Sequence, residues 1–323
     1  MKRIILSTTL ALAATPFAMH GADSLDNGAD SLDNPNRFSF GPTFGLNFKA
    51  DFHNNANSGP NHTYNDGYVH PDSGTGTDGL TQNWNYQNAS QYNAANGKMN
   101  FLNVGSSSAT GDPQYGGELI YQRVIGSLPF MSGDWGLEAG FGFTELDLRE
   151  NLGGNANVDS YSLNGVIPPG PGNGGISGAP QALLSDTTTR TAATLTGYQK
   201  LSGQMFSLRL GPFAEWNITH KFSLAASVGL TLAPTIVDYD FSETATLAGG
   251  GVISESGHSS KTELLYGPYV GAMLRYDFDK CWGVYVGARF QNLTDLSQSI
   301  GSRTARLDPG ATVYLTAGAS WRF

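Results

Sequence analysis

The sequence has little of what a soluble, secreted or helical membrane protein leans on. One cysteine, Cys281, occurs in 323 residues, so no intramolecular disulfide can form and stability must come from packing and backbone pairing. It sits in Asp279-Lys280-Cys281-Trp282, a predicted tight turn where the thiol serves as structural filler. Charge is scarce as well: Asp, Glu, Lys and Arg make up 14% of the chain, against roughly 25% in typical soluble domains. Beyond the first residues there is no apolar run of about 20, the length a transmembrane helix needs. What charge exists is acidic. Loss of Lys2 and Arg3 from the 18 basic residues leaves 16 against 27 acidic ones, a balance that excludes nucleic acid as a partner.

Glycine, at 42 residues, and aromatics, at 11%, are what the chain has instead. At the start, Lys2 and Arg3 precede an apolar stretch from Ile4 to Ala14 that ends near Pro16, the layout of a secretory signal over 1–21. Cleavage is expected between Ala18 and Ala22. Gly-Ala-Asp-Ser-Leu-Asp-Asn is then written twice over residues 21–34. Two polar copies with one Leu each cannot make a coiled-coil seam, so 22–36 reads as a flexible acidic leader in the periplasm. The remainder, 37–323, reads as one domain.

From Phe38 the pattern has a period of two. Phe38, Phe40, Phe44, Leu46, Phe48 and Phe52 alternate with Ser39, Gly41, Thr43, Gly45, Asn47, Lys49 and Asp51. Successive side chains of a strand point to opposite faces, so one face is apolar and the other polar or small. The pattern returns seven times. It covers 114–126, 135–147 and 203–217, a segment opening at Phe222, another from Glu263 to Phe278, then Trp282 to Gln291 and Ala311 to Phe323. Each is long enough for a tilted crossing of roughly 9 to 11 residues. The connections alternate: 53–113, 148–202 and 241–261 are long, 293–309 is intermediate, and 127–134, 218–221 and 279–281 are short. Short periplasmic turns and long outer loops are the pattern of a transmembrane barrel. Trp135, Trp216, Trp282 and Trp321, with Phe323, fall at the strand ends on the side of the short turns, where an aromatic girdle belongs.

The predicted fold is therefore all-β, a closed antiparallel up-and-down transmembrane barrel of eight strands in a bacterial outer membrane. Ten strands stay open, because Asn96-Gly97, between Trp84-Asn85-Tyr86 and Met99-Asn100-Phe101, is a hairpin signal inside the first loop. Flanks rich in Asn and Gln place that hairpin above the membrane. The Thr-rich stretch 187–196 and the Gly249-Gly250-Gly251 apex suggest strands that continue past the bilayer. A soluble β-sandwich would also alternate, but explains neither the loop lengths nor the Trp positions.

The eight alternating segments and the terminal Trp321-Arg322-Phe323 resemble the small outer-membrane barrels, the class of the OmpA transmembrane domain, OmpX and OmpW. The resemblance is architectural and spans most of the chain. It implies that Trp321, Arg322 and Phe323 form the aromatic-ending signal read by the barrel-assembly machinery. It also implies contact with the lipid bilayer and lipopolysaccharide.

The inward positions collect charges of both signs: Lys49, Glu118, Glu138, Arg209, Glu215, Glu263, Arg275, Arg289 and Arg322. An eight-stranded barrel is only wide enough for side chains to fill, so these predict a buried ion-pair network, with a conducting path for small solutes as the alternative. Other chemistry is thinly signalled. Ser73-Gly74-Thr75-Gly76-Thr77-Asp78-Gly79-Leu80 approaches a calcium-binding nonapeptide once only. His53, His62 and His70 share a loop with Asp51, Asp66 and Asp72 without ligand spacing. His220 and His258 lack a recognisable nucleophile motif. No enzyme, metal or cofactor is expected. The leading expectation is a structural surface barrel whose long Asn-, Gly- and Thr-rich loops meet an unidentified ligand outside the cell; a narrow passive channel comes second and a rim enzyme third.

Overall fold

The computed structural model describes residues 35–54, 83–84, 92–93, 97–128, 133–162, 176–177, 188–300 and 303–323. The signal and nearly all of the leader lie outside them. All regular structure there is β: β1 (Asn36–Leu46), β2 (Lys49–Asn54), β3 (Asn83–Trp84), β4 (Tyr92–Asn93), β5 (Lys98–Asn103), β6 (Ser107–Thr110), β7 (Gln114–Ser127), β8 (Gly133–Ser162), β9 (Ile176–Ser177), β10 (Thr188–Asn217), β11 (Phe222–Leu247), β12 (Val252–Asp277), β13 (Trp282–Gln291), β14 (Leu296–Ile300), β15 (Arg303–Asp308) and β16 (Thr312–Arg322). Eight of these close into an antiparallel ring, β1-β7-β8-β10-β11-β12-β13-β16 and back to β1. Closure satisfies every edge within the bilayer, which hydrocarbon requires.

The ring has eight strands, because the hairpin of β4 and β5 stands beside it. Gly97 takes φ 62°, a conformation that glycine adopts at no steric cost, and β4 turns back onto β5 with Tyr92 opposite Met99. β5 then pairs with Asn157 to Ser162 of β8, above the stretch of β8, Asp134 to Thr144, that β7 occupies.

The short connections and both ends of the described chain share one end of the barrel. Asn36 N–H donates to the Phe323 carbonyl and Phe323 N–H to that of Asn36. Asp279 Oδ1 accepts from the N–H groups of Cys281, at 2.8 Å, and Trp282, at 2.7 Å, a side-chain-capped turn that holds the exposed Cys281.

At the other end the strands run far beyond a crossing. β8 and β10 have 30 residues each, β11 and β12 have 26, well over twice what a membrane strand needs. Loops 148–202 and 241–261 are thus in large part strand. The two long hairpins continue upward, and the second turns at Gly250, φ 89°, with Leu247 N–H donating to the Gly251 carbonyl.

The first strand is shorter than its alternation predicts. β1 ends at Leu46, and Asn47 takes φ 66°, a left-handed conformation that Asn tolerates better than most residues; its Nδ2 donates to the Ala311 carbonyl at 2.8 Å. The turn reverses the faces, so Phe48, Ala50 and Phe52 are buried rather than lipid-facing. β2 leaves the ring and joins a second sheet, ordered β14-β15-β2-β6, that caps the barrel mouth. Its hairpin β14–β15 is what the intermediate loop 293–309 becomes.

The two levels of the barrel are chemically inverted. Low in the ring, Phe40, Leu119, Leu137, Phe141, Leu208, Leu210, Leu230, Val270, Val286 and Leu315 point outward and are exposed, a belt for lipid. Above it, the inward faces of β8, β10, β11 and β12 carry Leu146, Leu148, Leu201, Met205, Val237, Tyr239 and Leu265, packed with Phe48, Phe52, Leu293, Leu296 and Leu307 of the cap and its flanks in one buried cluster. A second buried cluster, with Leu102, Val158, Leu195 and Ile253, lies higher still.

Candidate functional site: the charged lumen and its cap

Inside the lipid belt, strand alternation brings the inward polar residues onto one another across the lumen. Glu118 on β7 accepts from two guanidinium groups with the same oxygen, Oε2: Arg209 on β10 at 2.9 Å and Arg289 on β13 at 2.6 Å. Their side chains are all less than a tenth exposed. Room for Arg209 comes from Gly140, opposite it on β8, where an added Cβ would lie 2.6 Å from Nη2. The Arg209 guanidinium also faces the ring of Tyr269, and that of Arg289 lies 4.5 Å from the Tyr314 ring centroid, so the charged layer touches the apolar core above it.

Nearer the short turns, Glu215 is the hub. It accepts from Arg275 at 2.6 Å, from Arg37 at 2.9 and 3.1 Å and from the Ser223 hydroxyl at 2.7 Å. Arg322 stands 4.0 Å away at the rim, and Arg37 also lies 3.5 Å from Asp277. Gln122 links the two layers: its Nε2 donates to Glu138 Oε2 at 2.8 Å and its Oε1 accepts from Arg275. Glu138 further accepts from the Tyr269 hydroxyl at 3.3 Å. Burial of one such charge alone would be prohibitive, so each carboxylate is met by guanidinium groups or by amide and phenol donors.

Seven of the nine inward candidates, Glu118, Glu138, Arg209, Glu215, Arg275, Arg289 and Arg322, are brought together in this way. Lys49 and Glu263 are not. Lys49 falls after the Asn47 turn, on β2 of the cap, where it pairs with Asp51 at 2.8 Å with its side chain 47% exposed. Glu263 is above the belt and pairs with Lys261 at 2.8 Å, itself bonded to the Ser297 carbonyl. Sequence reasoning missed Arg37, whose position opposite in parity to Phe38 marks it as inward. It also missed a buried group above the belt. Arg303 bonds Glu243 at 2.7 Å and Glu255 at 2.8 Å, and Gln199 donates to Glu243. Glu243 and Glu255 are directly opposite on β11 and β12, a like-charge pair that destabilises a sheet unless bridged. Arg303, from the cap hairpin, bridges it.

The lumen leaves a cavity of about 20 Å³, lined by Glu118, Gln122, Glu138, Arg209 and Arg289 among others, space on the scale of one water molecule. Above it the cap core closes the mouth.

Trp135, Trp216, Trp282, Trp321 and Phe323 lie at the short-turn end. Trp282 stacks on Trp321 with centroids 6.2 Å apart, Trp321 on Phe323 at 4.7 Å, and Phe323 on Phe38 at 5.5 Å. Trp135 faces outward at 41% exposure, and Trp216 is half-buried opposite Leu224 on β11.

The thin signals separate as well. Residues 73–80, His62, His70, Asp66 and Asp72 lie outside the described residues. His53 Nδ1 is 3.1 Å from the Ser106 hydroxyl. His220 is exposed in its turn. His258 does have an aspartate: Asp240 lies across from it with Oδ1 2.6 Å from Nδ1. Both are exposed on the outer face, and among the described residues no serine hydroxyl is bonded to that imidazole. Among the described residues no group of three or more His, Cys, Asp or Glu side chains is placed to hold a metal ion.

A closed ring, a continuous apolar belt and one aromatic end make the chain a small β-barrel of the bacterial outer membrane. No protein-family model matches the sequence, and no curated protein matches it. Among solved structures it is similar to the outer membrane protein OprG from Pseudomonas aeruginosa, at 11% identity over 90% of this chain and 96% of that one, with a TM-score of 0.39. It is also similar to the outer membrane protease OmpT from Escherichia coli, at 12% identity, 90% and 97% coverage and a TM-score of 0.32. Ail, the attachment invasion locus protein of Yersinia pestis, aligns at 10% identity, 90% and 99% coverage and a TM-score of 0.29. At these values the likeness stops at barrel architecture.

Proposed function

We propose that the protein is a closed barrel that displays its extended upper hairpins and loops at the cell surface, with no transport through the lumen. The observation that carries this reading is a double obstruction: a layer of paired guanidinium and carboxylate groups within the bilayer, and an apolar core under the cap above it. An open pore needs a continuous polar path, and the cap core interrupts it. Strands of 26 to 30 residues meanwhile place polar outer faces well beyond the lipid belt, where contact with other molecules is the physical consequence. Lipopolysaccharide is the neighbour proposed for the outer face just above Phe143 and Phe206, and Trp321, Arg322 and Phe323 are the proposed assembly signal.

Two measurements test it. The purified barrel in a planar bilayer should show no unitary conductance; a stable conductance with the cap intact overturns the closed reading. Cells carrying a deletion of 163–187 should lose adsorption to surfaces or to other cells, while the purified variant keeps the heat-dependent gel shift of a folded barrel. Unchanged adsorption of such cells overturns the display reading.

A further inference from the structure

We infer that the cap is a flap, which lifts away from β12 along the edge strand β14 while the ring beneath it stays folded. The topology supplies both its hinge and its free side. The cap order β14-β15-β2-β6 repeats the ring order β13-β16-β1-β7, so each cap strand continues one ring strand after a short break in the chain. At one border the cap is tied to the tall hairpins, because β6 follows β5 in the chain and β5 forms a ladder with β8. At the other border it is not. β12 pairs with β13 only from Tyr269 to Asp277, and above that no ladder joins β12 to β14 among the described residues. Two contacts bridge the border: Thr294 N–H donates to the Tyr266 carbonyl at 3.1 Å at its base, and Lys261 Nζ to the Ser297 carbonyl at 2.8 Å on its exposed side. A boundary without backbone pairing is where local opening is least costly.

Two residues of the β14–β15 hairpin act on this border in opposite directions. Arg303 is the latch: it reaches from β15 to Glu243 and Glu255 on the tall hairpin, at 2.7 and 2.8 Å, and these bonds break when the flap lifts. Gln298 is the push. It lies in the inner row of the cap, Gln298-Ala305-Phe52-Ser107, and is 4% exposed. Neither its Oε1 nor its Nε2 has a hydrogen-bond partner among the described residues, and Ser107 Oγ at the far end of the row is likewise buried without one. A buried amide left unpaired costs free energy that water returns once it is exposed. The closed cap is thus held by Arg303 and the apolar core against polar groups that gain from release. Lifting it turns Phe52, Tyr239 and Leu265 toward the outside. The Glu118 layer below stays in place, so the flap governs access to an apolar basin and gives no passage through the barrel.

Labelling of a buried thiol reads the opening. In a Cys281→Ser background, Ala305→Cys puts a thiol on the inner face of the flap, at a position with 0% exposure, and Ala225→Cys puts one inside the ring, at 3%. With the barrel folded in lipid vesicles, a water-soluble maleimide should modify Ala305→Cys without urea and Ala225→Cys only as the ring unfolds. Arg303→Met should speed labelling of Ala305→Cys by about tenfold or more, and Gln298→Leu should slow it by about tenfold, with Ala225→Cys unmoved by either. Labelling of Ala305→Cys no faster than that of Ala225→Cys overturns the flap. So does a rate that neither substitution changes, or one that rises at both thiols together in Arg303→Met. If Arg303→Met lacks the heat-dependent gel shift of a folded barrel, Gln298→Leu decides alone: slower labelling supports the flap, and unchanged or faster labelling overturns it.

Discussion

The lower and upper parts of β11 are one uninterrupted strand built on opposite rules. From Phe222 to Leu232 the even-numbered residues, Phe222, Leu224, Val228, Leu230 and Leu232, are apolar and exposed to lipid, while Ser223 and Thr231 are buried inside. From Ala233 upward the odd-numbered residues, Ala233, Val237, Tyr239 and Phe241, form the buried core, and the even-numbered Asp238, Asp240, Ser242 and Thr244 face out. The backbone keeps its register with β10 and β12 throughout, so the side chains do not change faces. What changes is the solvent outside. Hydrocarbon surrounds the lower part, which must put its polar groups inward and pair them; water surrounds the upper part, which gains most by burying apolar area.

The comparison breaks most visibly at the charged hub of the lower half. Glu215→Ala leaves Arg275 and Arg37 buried without their carboxylate. Removal of one partner from a buried pair typically costs about 3–5 kcal/mol. We expect the urea midpoint of the barrel folded in lipid vesicles to fall accordingly, as followed by tryptophan fluorescence. An unchanged midpoint would mean that the lower interior is solvated and the inversion false.

The second test sets Leu148 against Leu210. Leu148 is fully buried under the cap, and Leu210 is 64% exposed on the lipid belt. Leu148→Ala should cost about 2–5 kcal/mol, a transfer part plus the cavity left behind. Leu210→Ala should lose the transfer part only, because lipid tails close around the gap. In the same urea titration Leu148→Ala is thus the more damaging of the two. Equal losses would place lipid, or water, on both sites alike.

The same phase change explains what could be read from the sequence. The ring of eight was legible because each crossing keeps one apolar parity over its whole length, and because four of the five Trp residues share one end. The upper strands were legible only in part, from the Thr-rich stretch 187–196 and the Gly249-Gly250-Gly251 apex, since the apolar parity slips where the lipid ends: from Phe141 and Phe143 to Leu146 and Leu148 on β8, and from Leu201 and Met205 to Phe206 and Leu208 on β10. A search for one continuous period reads that slip as the end of a strand. Glu243, Glu255 and Arg303 lay in the stretches so discarded, and no local spacing joins Arg303 to two residues on another hairpin. The first segment failed the other way. Its alternation runs unbroken through Phe48 and Phe52, but the left-handed Asn47 turns the chain, a backbone event to which hydrophobic period is blind.

Lys49 gives the smallest and sharpest form of the contrast, because by sequence parity it belongs with Arg289. Arg289 is buried and bonded to Glu118, whereas Lys49 is half exposed beside Asp51 on the cap. Exposed ion pairs are worth about 0–1 kcal/mol, screened by salt. Lys49→Met should therefore change the unfolding free energy obtained from the urea titration by less than about 1 kcal/mol, and raising the salt concentration should erase what difference there is. Arg289→Met strips a partner from a buried carboxylate and should cost several times more, at any salt concentration, since buried pairs are screened much less. A large, salt-resistant loss at Lys49 would return that residue to the lumen and restore the straight first strand that the Asn47 turn denies.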